Sequence, residues 1–225
     1  MGERRAQDVL NFWFGADPLA PDQITQRMRL WFGGDDPPEL RLLRDELIAE
    51  RFGKMVEAAA DGKLDAWAGS PHRLLALILL LDQFPRNIYR GSAKAFAQDD
   101  RALSLALSGM QTGADANLTP VHRVFFYMPL QHAESPDVQD ESVAAFRRLA
   151  DDAPAEHRSL FQACLKFAQL HQRIVARFGR FPHRNRLLGR AAARVNLPTC
   201  ATRHRASASE HKKGAATCKG GGASS

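Results

Sequence analysis

The sequence has few cysteines, and they form no recognisable pattern. Only three occur among 225 residues, namely Cys164, Cys200 and Cys218. Their spacing matches neither a disulfide framework nor a zinc site. The sequence also lacks the His-Glu-X-X-His motif of zinc hydrolases. We therefore expect free thiols in a reducing cytoplasm, no metal and no bound cofactor.

The sequence also lacks an apolar run long enough to cross a membrane. Its longest such run is LLALILLL at Leu74–Leu81, bracketed by Arg73 and Asp82. A spanning helix needs about 20 apolar residues. The first residues, MGERRAQDVLNFWFG, contain no apolar region typical of a signal peptide. We therefore expect no membrane partner, and we interpret Leu74–Leu81 as a helix that is buried on all sides.

Patterns of strands and of phosphate-binding loops are missing as well. No stretch alternates apolar and polar residues, and the three glycines at 220–222 have no strand before them. Apolar residues instead recur every three or four positions, most clearly from Leu160 to Phe178, where Phe167 belongs to the apolar stripe. Gly179 supplies a stop signal. The pattern predicts an all-α protein in which antiparallel helices are joined by short connections.

Several helix limits follow from proline and glycine. Pro38–Ala60 is predicted as one helix, since a proline fits its first turn. Its predicted inner residues are Leu40, Leu43, Leu47, Ile48, Met55, Val56 and Ala59. Asp99 is expected to cap a helix that Gly109 ends. Pro85 and Pro182 are each expected to end the preceding helix, because the residue before proline avoids the α conformation.

Positive charge is concentrated at the end of the chain. Residues 191–225 contain six of the 31 Lys and Arg residues and only one of the 25 Asp and Glu residues. This segment therefore carries +5 of the net charge of +6, and residues 1–190 are nearly neutral. We predict one helical domain over 1–190 and a basic, low-complexity tail over 191–225 that is disordered or atypical. Nucleic-acid binding would rest on this tail alone.

Two passages repeat one polar pattern after an apolar helix. FPRNIYRG runs from Phe84 to Gly91, and FPHRNRLLGR runs from Phe181 to Arg190. Arginine and asparagine together suit a phosphate or a carboxylate. In the alternative interpretation, Asp82 and other acids neutralise these arginines, and both remain open. The candidate ligand-binding residues are Arg86, Asn87, Arg90, Arg184, Asn185 and Arg190.

Histidines near these passages are candidates for proton transfer. His132 lies two residues before Glu134, and His183 lies beside Arg184. Imidazole exchanges a proton near neutral pH, so His132, His183 and Glu134 are the candidate catalytic residues. The alternative for His132 and Glu134 is a helix end with local hydrogen bonds. His171, on the apolar stripe of the last long helix, is interpreted as a hydrogen-bonded core residue.

Five phrases together resemble one bacterial family, the domain of unknown function 924. They are FWFG (12–15), LDQFPRNIYRG (81–91), AFAQDDRAL (95–103), FFYMPLQHAES (125–135) and FGRFPHRNRLLGR (178–190). The resemblance covers nearly all of residues 7–190 and implies an all-helical, tetratricopeptide-like superhelical fold. It implies no established reaction and no catalytic residues. After Arg190 the sequence departs from the family's acidic ending.

The sequence supports two functions from different classes. The first is binding of a small anionic molecule in a pocket built from 82–91, 130–135 and 183–190, with Arg86 and Arg184 holding the anion. Whether the molecule also reacts there stays open. The second is a helical scaffold that binds a protein or peptide on a concave surface. A closed pocket with converging arginines would favour the first, and a long, partly apolar groove the second.

Overall fold

The computed structural model describes residues 2–15, 21–33 and 36–192, which form eight α-helices and contain no strand. Short 3-10 turns join several of them. The helices are α1 (Gly2–Phe14), α2 (Pro21–Phe32), α3 (Pro38–Ala60), α4 (Pro71–Ile88), α5 (Asp99–Gln111), α6 (Pro120–His132), α7 (Pro136–Asp151) and α8 (Arg158–Phe178). The all-α class is therefore confirmed, whereas the tetratricopeptide-like superhelical arrangement stays a prediction. None of the described helices is long and apolar enough to cross a membrane.

Proline and glycine set many of the helix limits. Proline is the first residue of α2, α3, α4, α6 and α7, where its missing N–H would have no partner in any case. Thr119 also caps α6, since its side chain accepts a hydrogen bond from the backbone N–H of His122. Gly179 follows α8 with a φ of 68°, a left-handed conformation that favours glycine.

Helix α4 lies at the centre of the fold. It packs against α1, α3, α5 and α6, while α7 and α8 pair with each other beside α6. The residues from Leu75 to Leu81 are completely buried, as the sequence predicted. Trp13, Phe14 and Phe125 add an aromatic cluster beside α4. Because α4 is enclosed, the polar residues at its end, Asp82 and Gln83, are buried as well.

The predicted inner sides of two helices were partly wrong. In α3, Ile48 and Val56 are buried, but Leu40, Leu43 and Leu47 are 52%, 60% and 44% exposed. In α8, Phe167 is also exposed. Helix α3 carries apolar residues on two faces, and spacing alone does not reveal which face meets the core.

Two predicted helix ends were also wrong. Pro85 lies inside α4, which continues to Ile88, because its ring removes only one hydrogen bond in a well-packed last turn. Gly109 lies inside α5 and is buried rather than ending it. A Cβ at Gly109 would lie 2.5 Å from Cζ of Phe126 and 2.8 Å from Cδ2 of Leu74. The glycine therefore allows α5 to approach α4 and α6 closely.

Candidate functional site

The polar residues of the candidate site come from helix ends that meet in space. Asp82 and Arg86 lie in the last two turns of α4, and His132 is the last residue of α6. Asp99 begins α5, and Arg184 lies in the turn Pro182–Arg184 that follows α8. The backbone N–H and C=O groups at helix ends lack partners within the helix, so charged side chains there can form hydrogen bonds with them.

Asp82 and His132 form a partly buried pair. Nδ1 of His132 lies 2.7 Å from Oδ1 of Asp82, and Nε2 of Gln83 donates a hydrogen bond of 2.5 Å to the other carboxylate oxygen. Arg86 Nη1 lies 3.1 Å from the same Oδ1 and also donates to the backbone carbonyl of Asp82. Asp82 is completely buried, so its charge depends on these partners.

The contact with Asp82 determines which ring nitrogen of His132 carries the proton. Burial alone would raise the pKa of Asp82, but Arg86, His132 and Gln83 together lower that pKa well below its ordinary value. Burial and the charge of Arg86 lower the pKa of His132, although Asp82 opposes this shift. At neutral pH the carboxylate is therefore ionised and the ring neutral, with its proton on Nδ1. Nε2 is left as a proton acceptor.

Arg86 and Arg184, from the two repeated passages, meet at one carboxylate. Oδ2 of Asp99 accepts hydrogen bonds from Nη2 of Arg86 at 2.9 Å and from Nη1 of Arg184 at 3.0 Å. The Arg184 guanidinium lies 4.7 Å from the ring centre of Phe96 and 4.8 Å from that of Phe181. Burial raises the pKa of Asp99, against the effect of Arg86. The repeated passages predicted that these arginines lie close together. The predicted capping role of Asp99 was wrong, because Gln98 occupies the capping position and Asp99 is the first residue of α5.

Asn87 and Arg90 form hydrogen bonds with a different carboxylate, that of Asp45. Asn87 Nδ2 donates a hydrogen bond of 2.9 Å to Oδ1 of Asp45, and the Arg90 guanidinium contacts both oxygens of Asp45 at 2.5 and 3.0 Å. Asp45 lies on α3, more than 40 residues earlier in the chain, and no sequence pattern linked it to the site. These two candidates therefore tie α4 to α3.

Glu134 and Arg190 form a third ionic group. The Arg190 guanidinium contacts both carboxylate oxygens at 2.5 and 2.9 Å, and the backbone N–H of Phe181 donates to Oε1 at 2.9 Å. Burial would raise the pKa of Glu134, but these hydrogen bonds lower it. Glu134 thus anchors the second repeated passage to the end of α6. Asn185 in that passage is buried, and its Oδ1 has no hydrogen-bond partner in the described part of the chain.

His171 lies beside Gln131 and His132, whereas His183 lies at the surface. His171 Nδ1 donates a hydrogen bond of 3.1 Å to the carbonyl of Gln131, and its ring centre lies 6.4 Å from that of His132. His183 is exposed, with its ring centre 5.7 Å from that of Phe181. Burial lowers the pKa of His171, whereas partial loss of solvent together with the charge of Arg184 lowers the pKa of His183. The sequence indicated a core role for His171, but the residue lies beside His132.

His132 lines two cavities. The larger, of about 510 Å³, has an apolar wall and a polar end. Its wall includes Met28, Trp31, Phe32, Met128, Leu160 and Phe167, and its polar end is formed by Gln83, Arg86, Gln131, His132 and His171. The smaller cavity, of about 170 Å³, is lined by Asp99, Asp100 and Glu134 together with Arg184. His183 lines neither cavity.

The lining of the larger cavity suits an organic molecule that has one polar group. Cys164 lines it, but burial raises the pKa of this thiol to about 12, so the sulfur stays protonated and unreactive. Within the described residues, no cluster of three or more His, Cys, Asp or Glu could hold a metal ion. The reactive groups at the polar end are therefore the imidazoles of His132 and His171 and the guanidinium of Arg86.

Comparison with known proteins identifies the family of the chain. Residues 9–196 match the family described as bacterial protein of unknown function DUF924. The solved structure of a protein of unknown function from Agrobacterium tumefaciens is similar, with 36% sequence identity and a TM-score of 0.64. The similarity covers 85% of this chain and 94% of that one. No curated protein matches. The chain therefore belongs to the DUF924 family of bacterial proteins.

Proposed function

We propose that the protein binds a small organic anion, a carboxylate or a phosphate monoester with an apolar body, in the larger cavity. The observation that carries this proposal is the combination of an apolar wall with a polar end that contains the guanidinium of Arg86. Ligand sites of small molecules usually have volumes of about 300–1,000 Å³ with few polar groups, and a cavity of about 510 Å³ falls within this range.

The smaller cavity is a poor site for an anion. Asp99, Asp100 and Glu134 line it together with a single arginine, Arg184, so acids outnumber bases. The side chain of Arg184 is also only 7% exposed, against 20% for that of Arg86, and two aromatic rings enclose its guanidinium. In the proposal, Arg86 holds the anion, and Arg184 supports the site by fixing Asp99.

The protein should take up a proton when it binds an anion. The charges of Asp82 and Asp99 already offset those of Arg86 and Arg184, and His132 is neutral at pH 7 because burial lowers its pKa. A bound anion beside His132 would raise that pKa and favour the imidazolium. We therefore expect affinity to increase as the pH falls towards the pKa that His132 has in the complex.

Thermal unfolding with matched ligands tests the proposal. Octanoate and octyl phosphate should raise the melting temperature by several degrees at concentrations far above Kd, and octanol, which lacks the charge, should have little effect. Arg86→Met should abolish the shift. Arg90→Met is the control, since Arg90 lies one turn further along, carries the same charge and contacts Asp45 instead. Equal stabilisation by octanol and octanoate would contradict anion recognition.

A second variant covers the case in which Arg86→Met does not fold. Ala163 lines the same cavity from α8, about 12 Å along the helix from His171. Ala163→Phe would fill this space and should block octanoate while leaving the Asp82–His132 pair intact. Unchanged octanoate binding in this variant would place the ligand elsewhere.

One observation favours a peptide as the second candidate ligand. Phe32 and Phe167 line the larger cavity, yet they are 48% and 59% exposed. Exposed aromatic residues beside an apolar cavity are typical of surfaces that bind another chain. In that case Phe167→Ser would weaken peptide binding and leave the effect of a short ligand such as butyrate unchanged.

A further inference from the structure

His132 combines a fixed orientation with access to the cavity. Its Nδ1 is held 2.7 Å from Asp82, so the ring cannot turn without breaking a buried hydrogen bond. The ring lines the larger cavity, and among the described residues the second nitrogen, Nε2, has no carboxylate partner such as the one that Nδ1 contacts. A neutral imidazole held by a carboxylate on one side and free on the other is the usual arrangement of a general base.

Water is the nucleophile that this base could activate. The described residues that line the larger cavity include no serine, threonine or tyrosine, and the Cys164 thiol is kept protonated by burial. Arg86 provides the positive charge at the same end. Its guanidinium and the ring of His132 contact the same oxygen of Asp82, at 3.1 and 2.7 Å, so the two groups lie side by side.

We propose that the larger cavity hydrolyses carboxylic esters with an apolar acyl group, with His132 as general base and Arg86 stabilising the negative charge. This inference rests on the proposed function, because the carboxylate product belongs to the class of ligand proposed above. The apolar wall would hold the acyl chain, and the reacting carbonyl would lie at the polar end.

The reaction balances with water as the only co-reactant. The water oxygen forms a bond to the acyl carbon while one of its protons passes to Nε2 of His132, and the carbonyl electron pair moves to the oxygen. Arg86 stabilises this oxyanion. The intermediate then breaks the bond between the acyl carbon and the leaving oxygen, which receives the proton from His132. The resulting acid ionises, and its carboxylate remains beside Arg86.

Asp82 acts as a positioning residue. It accepts the Nδ1 proton, which keeps Nε2 free, and it stabilises the imidazolium that forms during the reaction. The charged and titratable groups around His132 are Asp82 and Arg86 on α4, Asp99 on α5 and His171 on α8. Since burial and Arg86 lower the pKa of His132, the rate should rise with pH to a midpoint below 6.5 and then level off.

Hydrolysis of p-nitrophenyl esters by the full chain tests the proposal. The rate should increase from the acetate to the octanoate, because the longer acyl chain fills the cavity. His132→Gln should lower it by about 100-fold or more. The control is His157→Gln, in the 3-10 turn before α8, which should leave the rate unchanged. Equal rates for His132→Gln and the parent protein would overturn the proposal.

Two further measurements separate chemistry from folding and from binding. Imidazole added to His132→Gly should restore part of the rate, which an unfolded variant cannot show. Asp82→Asn should lower kcat more than it changes KM and should shift the pH midpoint downwards. If His132→Gln still binds octanoate but the parent hydrolyses no ester, the binding proposal stands and the hydrolysis proposal fails. If hydrolysis depends on His132 but octanoate does not bind, the reverse holds.

Discussion

At the scale of single residues, the arginines of the two repeated passages have different energetic roles. Arg184 has a side chain only 7% exposed, and it shares Asp99 with Arg86. Arg90 binds Asp45 with good geometry, yet its side chain is 53% exposed. Solvent screens an exposed pair, whereas removing one partner of a buried pair leaves an uncompensated charge.

Arg184→Ala should therefore lower the free energy of unfolding by on the order of 3 kcal/mol, because Asp99 would lose one of its two partners. Arg90→Ala is the exposed control and should cost less than about 1 kcal/mol. Urea unfolding of both variants measures the difference. Equal costs would mean that the network around Asp99 contributes no more than a surface ion pair.

The partly buried histidines His132 and His171 should make the stability of the fold depend on pH. Burial lowers the pKa of His132 and of His171 in the folded state. The unfolded chain then binds more protons than the folded chain as the pH falls through about 6.5, so protonation favours unfolding. We expect the melting temperature to fall between pH 7.5 and pH 5.5. Asp99, whose pKa burial raises, would act in the opposite direction at lower pH.

His132→Gln is the variant that checks this explanation. It keeps a side chain of similar reach but removes the titrating group, so its melting temperature should change less over the same pH interval. An identical pH dependence in the variant and the parent protein would assign the effect to other groups.

At the scale of the helices, replacing a glycine by alanine should have opposite effects on stability in α5 and in α3. A Cβ at Gly109 would meet Phe126 and Leu74 at distances below 3.0 Å, whereas a Cβ at Gly53 in α3 would have no atom within 4 Å. Gly109→Ala should destabilise the protein by about 1–3 kcal/mol through overpacking. Gly53→Ala should stabilise it by about 0.5–1 kcal/mol, since alanine favours the helix.

Chemical unfolding of both glycine variants provides the measurement. The two substitutions are chemically identical and both lie inside helices, so intrinsic helix preference cancels in the comparison. A Gly109→Ala variant as stable as Gly53→Ala would show that α5 can move away from α4 and α6 without cost.

Helix α3 shows where periodicity was insufficient. Leu43 and Leu47 suggested an inner face, but they are exposed, while Asp45 between them is buried. Asp45 turns inwards because Asn87 and Arg90 at the end of α4 supply its hydrogen bonds. The position of a buried acid thus depended on partners more than 40 residues away, and these are invisible in the spacing along α3.

At the scale of the whole molecule, the separation of residues 191–225 from the helical domain stays a prediction, because residues 193–225 lie outside the described part of the chain. A chain that ends at Ala192 keeps the Glu134–Arg190 pair. Its melting temperature should lie within a few degrees of that of the full chain. A large decrease would mean that the removed residues contribute to the folded domain.

The same truncation tests the origin of any affinity for nucleic acid. Residues 191–225 carry +5 of the net charge of +6. Binding to DNA depends mainly on positive charges that displace counterions, so any binding by the full chain should disappear after truncation. Persistent, salt-sensitive binding by the shorter chain would assign it to the helical domain.

The sequence by itself determined the helical class, the enclosed position of α4 and most helix starts. These features depend on local preferences and on apolar spacing, which a reader of the sequence can evaluate residue by residue. It also identified Arg86 and Arg184, through the Arg-Asn pairs of two similar passages, and His132, through its position two residues before Glu134. The repeated Phe-Pro passages suggested that Arg86 and Arg184 lie close together.

Only the tertiary structure decided which acid each candidate meets. Asp99, Asp45 and Glu134 pair with arginines 13 to 85 positions away, and no local rule selects among the 25 acids of the chain. The larger cavity likewise exists only where α2 and α8 approach the ends of α4 and α6. Packing of distant helices creates both the ion pairs and the empty space, and for this reason the sequence indicated the chemical groups but not the site.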